Sequence, residues 1–251
     1  MLRVDQHAWT IFVSGAAAAL VLLSAVGVPQ VWADGAQDAR QLVDKARLTF
    51  ESFQNDPQLG PGLRDIVRKA KGVMIYPQVL RGAFLVGGAG GNGVFLARGK
   101  EGDVWSGPAF YAMGQVSFGL QIGGDASEVV VVALTERGVN ALLSPSAKLG
   151  GNASIAVGPV GAGAAAATEN LSVDLVSYTR NKGLYAGVSL EGAVVATRDH
   201  WNQAYYGQPV TTTDILVERK VSNPQAAELI AAVARVAGES KTVPGSSAKA
   251  E

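Results

Sequence analysis

The chain has 251 residues with 21 basic and 21 acidic side chains, so its formal net charge is zero; no whole-molecule field draws it to nucleic acid or to an anionic surface. The absence of cysteine excludes disulfides, thiolate metal ligands, iron–sulfur clusters, a cysteine nucleophile and a lipoprotein anchor. With 48% hydrophobic and 17% charged residues the chain can fill a sizeable core in one domain, and its 31 glycines point to many turns and short strands.

Residues 1–33 read as a secretory signal. Arg3 precedes an uncharged stretch, Ala8 to Val28, and Val31-Trp32-Ala33 offers a small-residue processing site after Pro29. The apolar run is also near the length of a membrane anchor; both readings place the domain outside the cytoplasm. Gln37 to Phe53 forms an amphipathic helix, with Ala39, Leu42, Val43, Ala46, Phe50 and Phe53 on one face. A second, basic helix is expected over Pro61 to Ala70, carrying Arg64, Arg68 and Lys69.

From Val73 the period falls to two. Val73–Tyr76 is a strand, and Ala83–Val86 and Val94–Ala97 flank the glycine-rich Gly87–Gly93 as a hairpin. Val104-Trp105, Ala109–Met113 and the alternating Val116–Ile122 follow. Val129–Leu134 is a continuous β-branched run, the pattern of a strand buried on both faces. Thr135 caps a helix reaching Leu143. The uncharged Gly150–Thr168 contains strands joined by a glycine turn, and Val173–Tyr178 and Leu184–Thr197 are further strands. Asp199–Tyr206 is a helical turn. Asn223 and Pro224 open a last helix that ends near Gly238, and residues 239–251 form a disordered tail. Strands clustered in the middle with helices mostly at the ends imply a single α+β domain, residues 34–238, built on a mainly antiparallel, sandwich- or barrel-like sheet.

Reactive chemistry is sparse. Gly88–Gly93 matches G-x-G-x-x-G, but a strand follows it, so no helix N-terminus faces a pyrophosphate. His7 lies in the signal, which leaves His200 alone in the mature chain and excludes a histidine-cluster zinc site. No G-x-S-x-G elbow occurs. Among the scattered carboxylates Asp103, Asp125, Glu128, Glu169, Asp174, Glu191 and Asp199, Glu191 stands out because it falls inside an apolar strand pattern.

In order along the chain come Lys69-Ala70-Lys71-Gly72-Val73, Gly82-Ala83-Phe84-Leu85-Val86-Gly87-Gly88, Trp105-Ser106-Gly107-Pro108-Ala109-Phe110, Ser117-Phe118-Gly119-Leu120-Gln121-Ile122-Gly123, Gly158-Pro159-Val160-Gly161, Lys182-Gly183-Leu184-Tyr185-Ala186-Gly187-Val188-Ser189-Leu190-Glu191-Gly192 and Tyr205-Tyr206-Gly207. Over residues 37–237 this pattern resembles the SYLF domain family. The resemblance implies a lipid-binding domain whose eukaryotic members bind phosphoinositides, partly through an N-terminal amphipathic helix, and in some cases contact actin; bacterial members are exported. Ala162-Gly163-Ala164 departs from the more polar residues usual there in eukaryotic members. An exported protein would not meet actin.

The expectation is an exported, periplasmic or extracellular, non-enzymatic protein without cofactor that binds anionic phospholipid or a membrane surface. Its candidate contacts are Leu42, Phe50 and Phe53 at the headgroup boundary and Arg64, Arg68, Lys69, Lys71 and Arg81 near phosphate. A competing reading packs the first helix on the sheet and leaves these cations solvated. The alternative function is a structural or protein-interaction module of the cell envelope, using the uncharged stretch between Asp103 and Asp125 that holds Trp105, Phe110, Tyr111 and Phe118.

Overall fold

A computed structural model describes residues 29–84, 86–99, 104–118, 123–159, 172–181 and 189–238. The signal-sequence expectation falls mainly on residues 1–28. Like the tail, the 160–171 stretch and most of the Lys182–Gly192 motif, it lies outside the described residues.

The first helix, α1 (Pro29–Gln54), covers the expected Gln37–Phe53 and adds earlier residues. It is followed by α2 (Gly60–Arg68), β1 (Gly72–Phe84), β2 (Val86–Arg98), β3 (Trp105–Phe118), β4 (Gly123–Ala133), α3 (Glu136–Leu143), β5 (Ser146–Lys148), β6 (Ile155–Val157), β7 (Leu175–Asn181), β8 (Val194–Thr197), α4 (Asp199–Tyr206), α5 (Thr212–Leu216) and, after a 3-10 turn at Pro224–Ala226, α6 (Ala227–Gly238). The eight strands form one curled sheet in the order β5-β8-β3-β2-β1-β4-β7-β6. Every pairing is antiparallel except β6 with β7. The single α+β domain expected from the strand spacing is therefore present.

The sheet is the middle layer. On one face α1, α2 and α6 bury Phe50, Phe53, Leu63, Ile66, Leu229 and Val233 against Val73, Ile75, Val94, Leu96, Val130 and Val132. On the other, Val139, Leu142, Ile215 and Leu216 pack on Met74, Tyr76, Phe95, Tyr111, Val129 and Val131. Alternate β4 valines thus serve opposite cores, as their unbroken β-branched run requires. Trp105, Phe110 and Tyr111 are interior, so these three aromatic residues of the uncharged stretch are core and offer no partner patch; the Phe118 side chain lies outside the described residues.

Two strand expectations need correction. Gly87–Gly93 is not the hairpin turn: it runs through the middle of β2, and the chain reverses between Phe84 and Val86, which pair with each other. Leu184–Thr197 is not one strand, since Leu190–Ala193 forms a turn before β8. In both places local glycine preference gives way to cross-strand pairing.

Pro77 sits inside β1, which is flanked by β2 and β4. A proline cannot donate to a ladder, so within a central strand it requires a bulge. Both ladders shift register there, between Ile75 and Gln78 on one side and between Tyr76 and Val79 on the other. The shift exchanges faces: Ile75 points to the α1 layer, while Val79 belongs to the opposite core.

Helix ends follow the sequence closely. Thr135 Oγ1 accepts from the Gly138 N–H at 3.0 Å, and Asn223 Oδ1 accepts from the Gln225 N–H at 3.1 Å. Asp174 ties three elements. Its carboxylate accepts from Thr135 Oγ1 at 2.6 Å, from the Ser154 N–H at 2.9 Å and from Ser154 Oγ at 2.8 Å. The Thr135 bond first, then the Ser154 N–H, holds its titration below the ordinary value of 3.8. A carboxylate depressed in this way stabilises the fold above that ordinary value, and the contribution disappears as the pH falls through the lowered one. Asp174→Ala is expected to cost about 3 kcal/mol at neutral pH. In chemical denaturation the gap from the parent should narrow below pH 3.8; a gap that stays constant into acid would show that the ionised carboxylate is not the source.

Candidate functional site

The expected membrane contacts of α1 are interior. Phe50 and Phe53 are fully buried and Leu42 is 9% exposed. Exposing the six apolar side chains of this face would cost on the order of 10 kcal/mol, comparable with the whole stability of a domain. Periodicity identified the apolar face of α1 correctly, but the sheet, not a bilayer, covers it. Arg180 fastens the helix further: its guanidinium lies 4.7 Å from the Phe53 ring centroid, donates to Ser52 Oγ at 2.9 Å and pairs with Glu128 at 2.9 Å through Nε.

Nor do the five basic candidates form one open cluster. Arg64 donates to the Gln54 carbonyl at the end of α1, Arg68 pairs with Asp65, and Lys71 pairs with Glu136 at 2.9 Å. Lys69 is exposed at the end of α2. Arg81 lies ten residues along β1 from Lys71, about 30 Å at the strand rise, opposite Asp125. These cations mainly join α2 to its surroundings.

A different surface emerges from the bulge. Beyond Pro77, among the described residues, the α1-facing side of the sheet is left exposed and is poor in large side chains. Ala126, Leu80, Gly90, Gly114 and Val194 form one cross-strand row; Gly124, Gly82, Gly88 and Val116 form the next. Leu80 is 57%, Val116 69% and Val194 43% exposed around this floor, and Leu48 of α1, 56% exposed, overlooks it. The ladder satisfies the backbone polar groups of the floor, so it presents a smooth, apolar, hydrogen-bond-saturated surface.

The glycines of β2 differ in the room around them, with Gly90 intermediate, a Cβ there standing 3.3 Å from the Met113 carbonyl oxygen. A Cβ on Gly91 would stand 2.3 Å from the Gln78 carbonyl oxygen, and one on Gly93 would stand 2.5 Å from the Tyr76 ring. These two positions are glycine because the chain folds tightly over them. A Cβ on Gly82 or Gly114 would meet nothing within 4 Å, and on Gly88 only an atom at 3.9 Å. Internal packing does not demand glycine there.

Two grooves run between α1 and this floor. One of about 470 Å³ is lined by Asp38, Gln41, Leu42, Lys45, Leu80 and Ala112, with Trp201 at its end. The other, about 590 Å³, is lined by Lys45, Leu48, Thr49, Ser52, Ala126 and Arg180. They share Lys45, Pro77 and Gln78, so the bulge forms their common wall. Sequence reading missed this site. The signal available was a proline within a central strand followed by glycines on alternate positions.

The other candidates for chemistry are dispersed. His200 stacks edge-on against Trp201, with Nε2 3.1 Å from Arg198 Nη2; burial first, and the Arg198 charge second, lower its titration. Glu191 is exposed at the turn before β8, outside the strand predicted to contain it. Gly88–Gly93 is strand throughout. Among the described residues no group of three or more histidine, aspartate or glutamate side chains is placed to hold a metal, and no helix is long and apolar enough to cross a membrane.

The fold and its grooves define a single α+β domain, a curled sheet between helical layers with one side-chain-poor face left open among the described residues. The family described as Ysc84, Las17-binding protein actin regulator, matches residues 114–236. Protein YSC84 of Saccharomyces cerevisiae is 36% identical over 168 residues, which is 65% of this chain and 35% of that protein. SH3 domain-containing protein PJ696.02 of Schizosaccharomyces pombe is 35% identical over 193 residues, 73% of this chain and 44% of its own length. SH3 domain-containing YSC84-like protein 1 of Mus musculus is 34% identical over 153 residues, 60% and 44% respectively. The chain belongs to this Ysc84, or SYLF, family. It spans less than half the length of each of these relatives.

Proposed function

We propose that this protein is exported and binds lipid or a membrane surface without catalysing a reaction. The observation that supports this reading best is the open glycine floor, with Leu48, Leu80, Val116 and Val194 exposed around it. Glycine within a strand weakens it, and recurs where a ligand approaches the backbone closely. Exposed aliphatic side chains gathered round such a floor mark a contact surface. The binding surface is thus the uncovered sheet and the outer edge of α1, in place of the buried face of that helix. Lys45, exposed on the edge, supplies attraction to an anionic headgroup.

The Las17-binding and actin-regulator description belongs to the matched family. Under export this chain would meet neither partner, so its partners are lipid and, as the alternative function, other proteins of the envelope.

The test is flotation with anionic vesicles. The protein is expected to float with them, and Leu80→Asp combined with Val116→Asp is expected to reduce the bound fraction by more than half, with the melting temperature retained because both side chains are already in water. Flotation that is absent, or unchanged in the double variant, would count against this surface.

A further inference from the structure

The two grooves meet at Lys45, Pro77 and Gln78, and the shape and charge of the trough they make together identify a narrower ligand than a membrane surface. This rests on the lipid reading and deepens it: we infer that the trough holds the acyl chain of a single monoacyl amphiphile with an anionic head, Lys45 being its charge partner.

Concavity comes first. A planar bilayer can touch the exposed rim of Leu80 and Val116, but it cannot enter a recess between a helix and a sheet. Each groove falls within the volumes that hold small ligands. Lining residues 38 to 52 of α1 span about 21 Å at the helical rise. One leaflet's acyl chain covers about 15 Å, half the hydrocarbon thickness of a bilayer, so a single extended chain fits within the trough. Leu42, Leu48, Leu80, Ala112 and Ala126 supply apolar contact along its length, and the missing side chain at Gly90 lets the ligand approach the backbone.

Charge comes second. Asp38 at one end faces Arg198, and Arg198 is further fixed by Asn92 at 2.7 Å and by the Trp201 ring at 4.0 Å. Glu128 at the other end pairs with Arg180. Glu128 is therefore held in an ion pair, and the charge of Asp38 is offset by Arg198 nearby. Lys45, at the junction, has no ion pair among the described residues and is exposed. The charge left for a ligand is positive, and its stem can lie along an apolar chain while the ammonium meets the head.

The test uses palmitate below its micelle concentration, titrated calorimetrically into delipidated protein, beside vesicle flotation. Binding is expected at one palmitate per chain. Ala112→Leu and Ala126→Leu each fill one groove and should weaken it more than about tenfold, while Lys45→Glu should weaken it about tenfold. Thermal melts identify a variant that fails to fold, and either filling variant alone suffices. Vesicle binding without palmitate binding would overturn the trough and leave the lipid reading standing; loss of both would overturn both. Palmitate binding that survives filling and charge reversal would also overturn this placement.

Discussion

Phe50→Ala and Phe53→Ala should each lose about 3–5 kcal/mol of unfolding free energy, measured by urea denaturation. Both rings are fully buried between α1 and the sheet, and truncation leaves a cavity that rigid strands cannot collapse into. Phe53 also carries the Arg180 guanidinium on its face, so its removal loosens the link to β7. The result matters for function because an amphipathic helix that served a membrane would behave in the opposite way. Its aromatic residues would be exposed in the free protein, truncation would leave stability within about 0.5 kcal/mol, and only vesicle binding would fall. Unchanged stability in both variants would contradict the burial of this face and restore α1 as a membrane contact.

The second large effect separates two kinds of glycine. Gly91→Ala and Gly93→Ala are each expected to destabilise by about 3 kcal/mol, because the new methyl would lie 2.3 Å from the Gln78 carbonyl oxygen in one case and 2.5 Å from the Tyr76 ring in the other. Neither obstacle is the free end of a flexible chain: one is backbone in a paired strand, the other a fully buried ring. Gly82→Ala and Gly114→Ala, with nothing within 4 Å of the new carbon, should instead gain up to about 1 kcal/mol, since alanine loses less conformational freedom than glycine on folding. Thermal melts of the four variants would check this contrast. Equal losses at all four would mean that the open floor is needed by the fold itself, removing the argument for a ligand.

Much of the architecture was legible in the residues because some patterns admit one physical solution. Five successive β-branched or small apolar residues, Val129 to Ala133, can be satisfied only by burial on both sides, and both cores receive them. Thr135 and Asn223 could be placed as caps because their side chains satisfy N–H groups a helix leaves open. The family resemblance was legible too, through motifs dispersed along the chain. The binding surface was harder. An amphipathic pattern such as Ala39–Phe53 states that one face is apolar, yet it says nothing of what covers that face. A run such as Gly87–Gly93 favours a turn locally, but β2 lies between β1 and β3, and two ladders outweigh that preference. The site itself depends on pairs such as Gly90 with Gly114, whose juxtaposition exists only once register is set.

The interleaved strand order has a practical result for anyone dividing the gene. A fragment cut to the matched region, residues 114–236, would start midway through β3. It would also discard β1 and β2, to which β4 and β3 hydrogen-bond. β4 would keep β7 and bare an unpaired edge on its other side, a template for intermolecular aggregation, while the remnant of β3 would keep only the Gly114–Val194 pairing with β8. The indivisible piece is therefore longer than the stretch that the family description matches. The early-synthesised β1–β2 hairpin is its keel, with β3, β8 and β5 to one side and β4, β7 and β6 to the other.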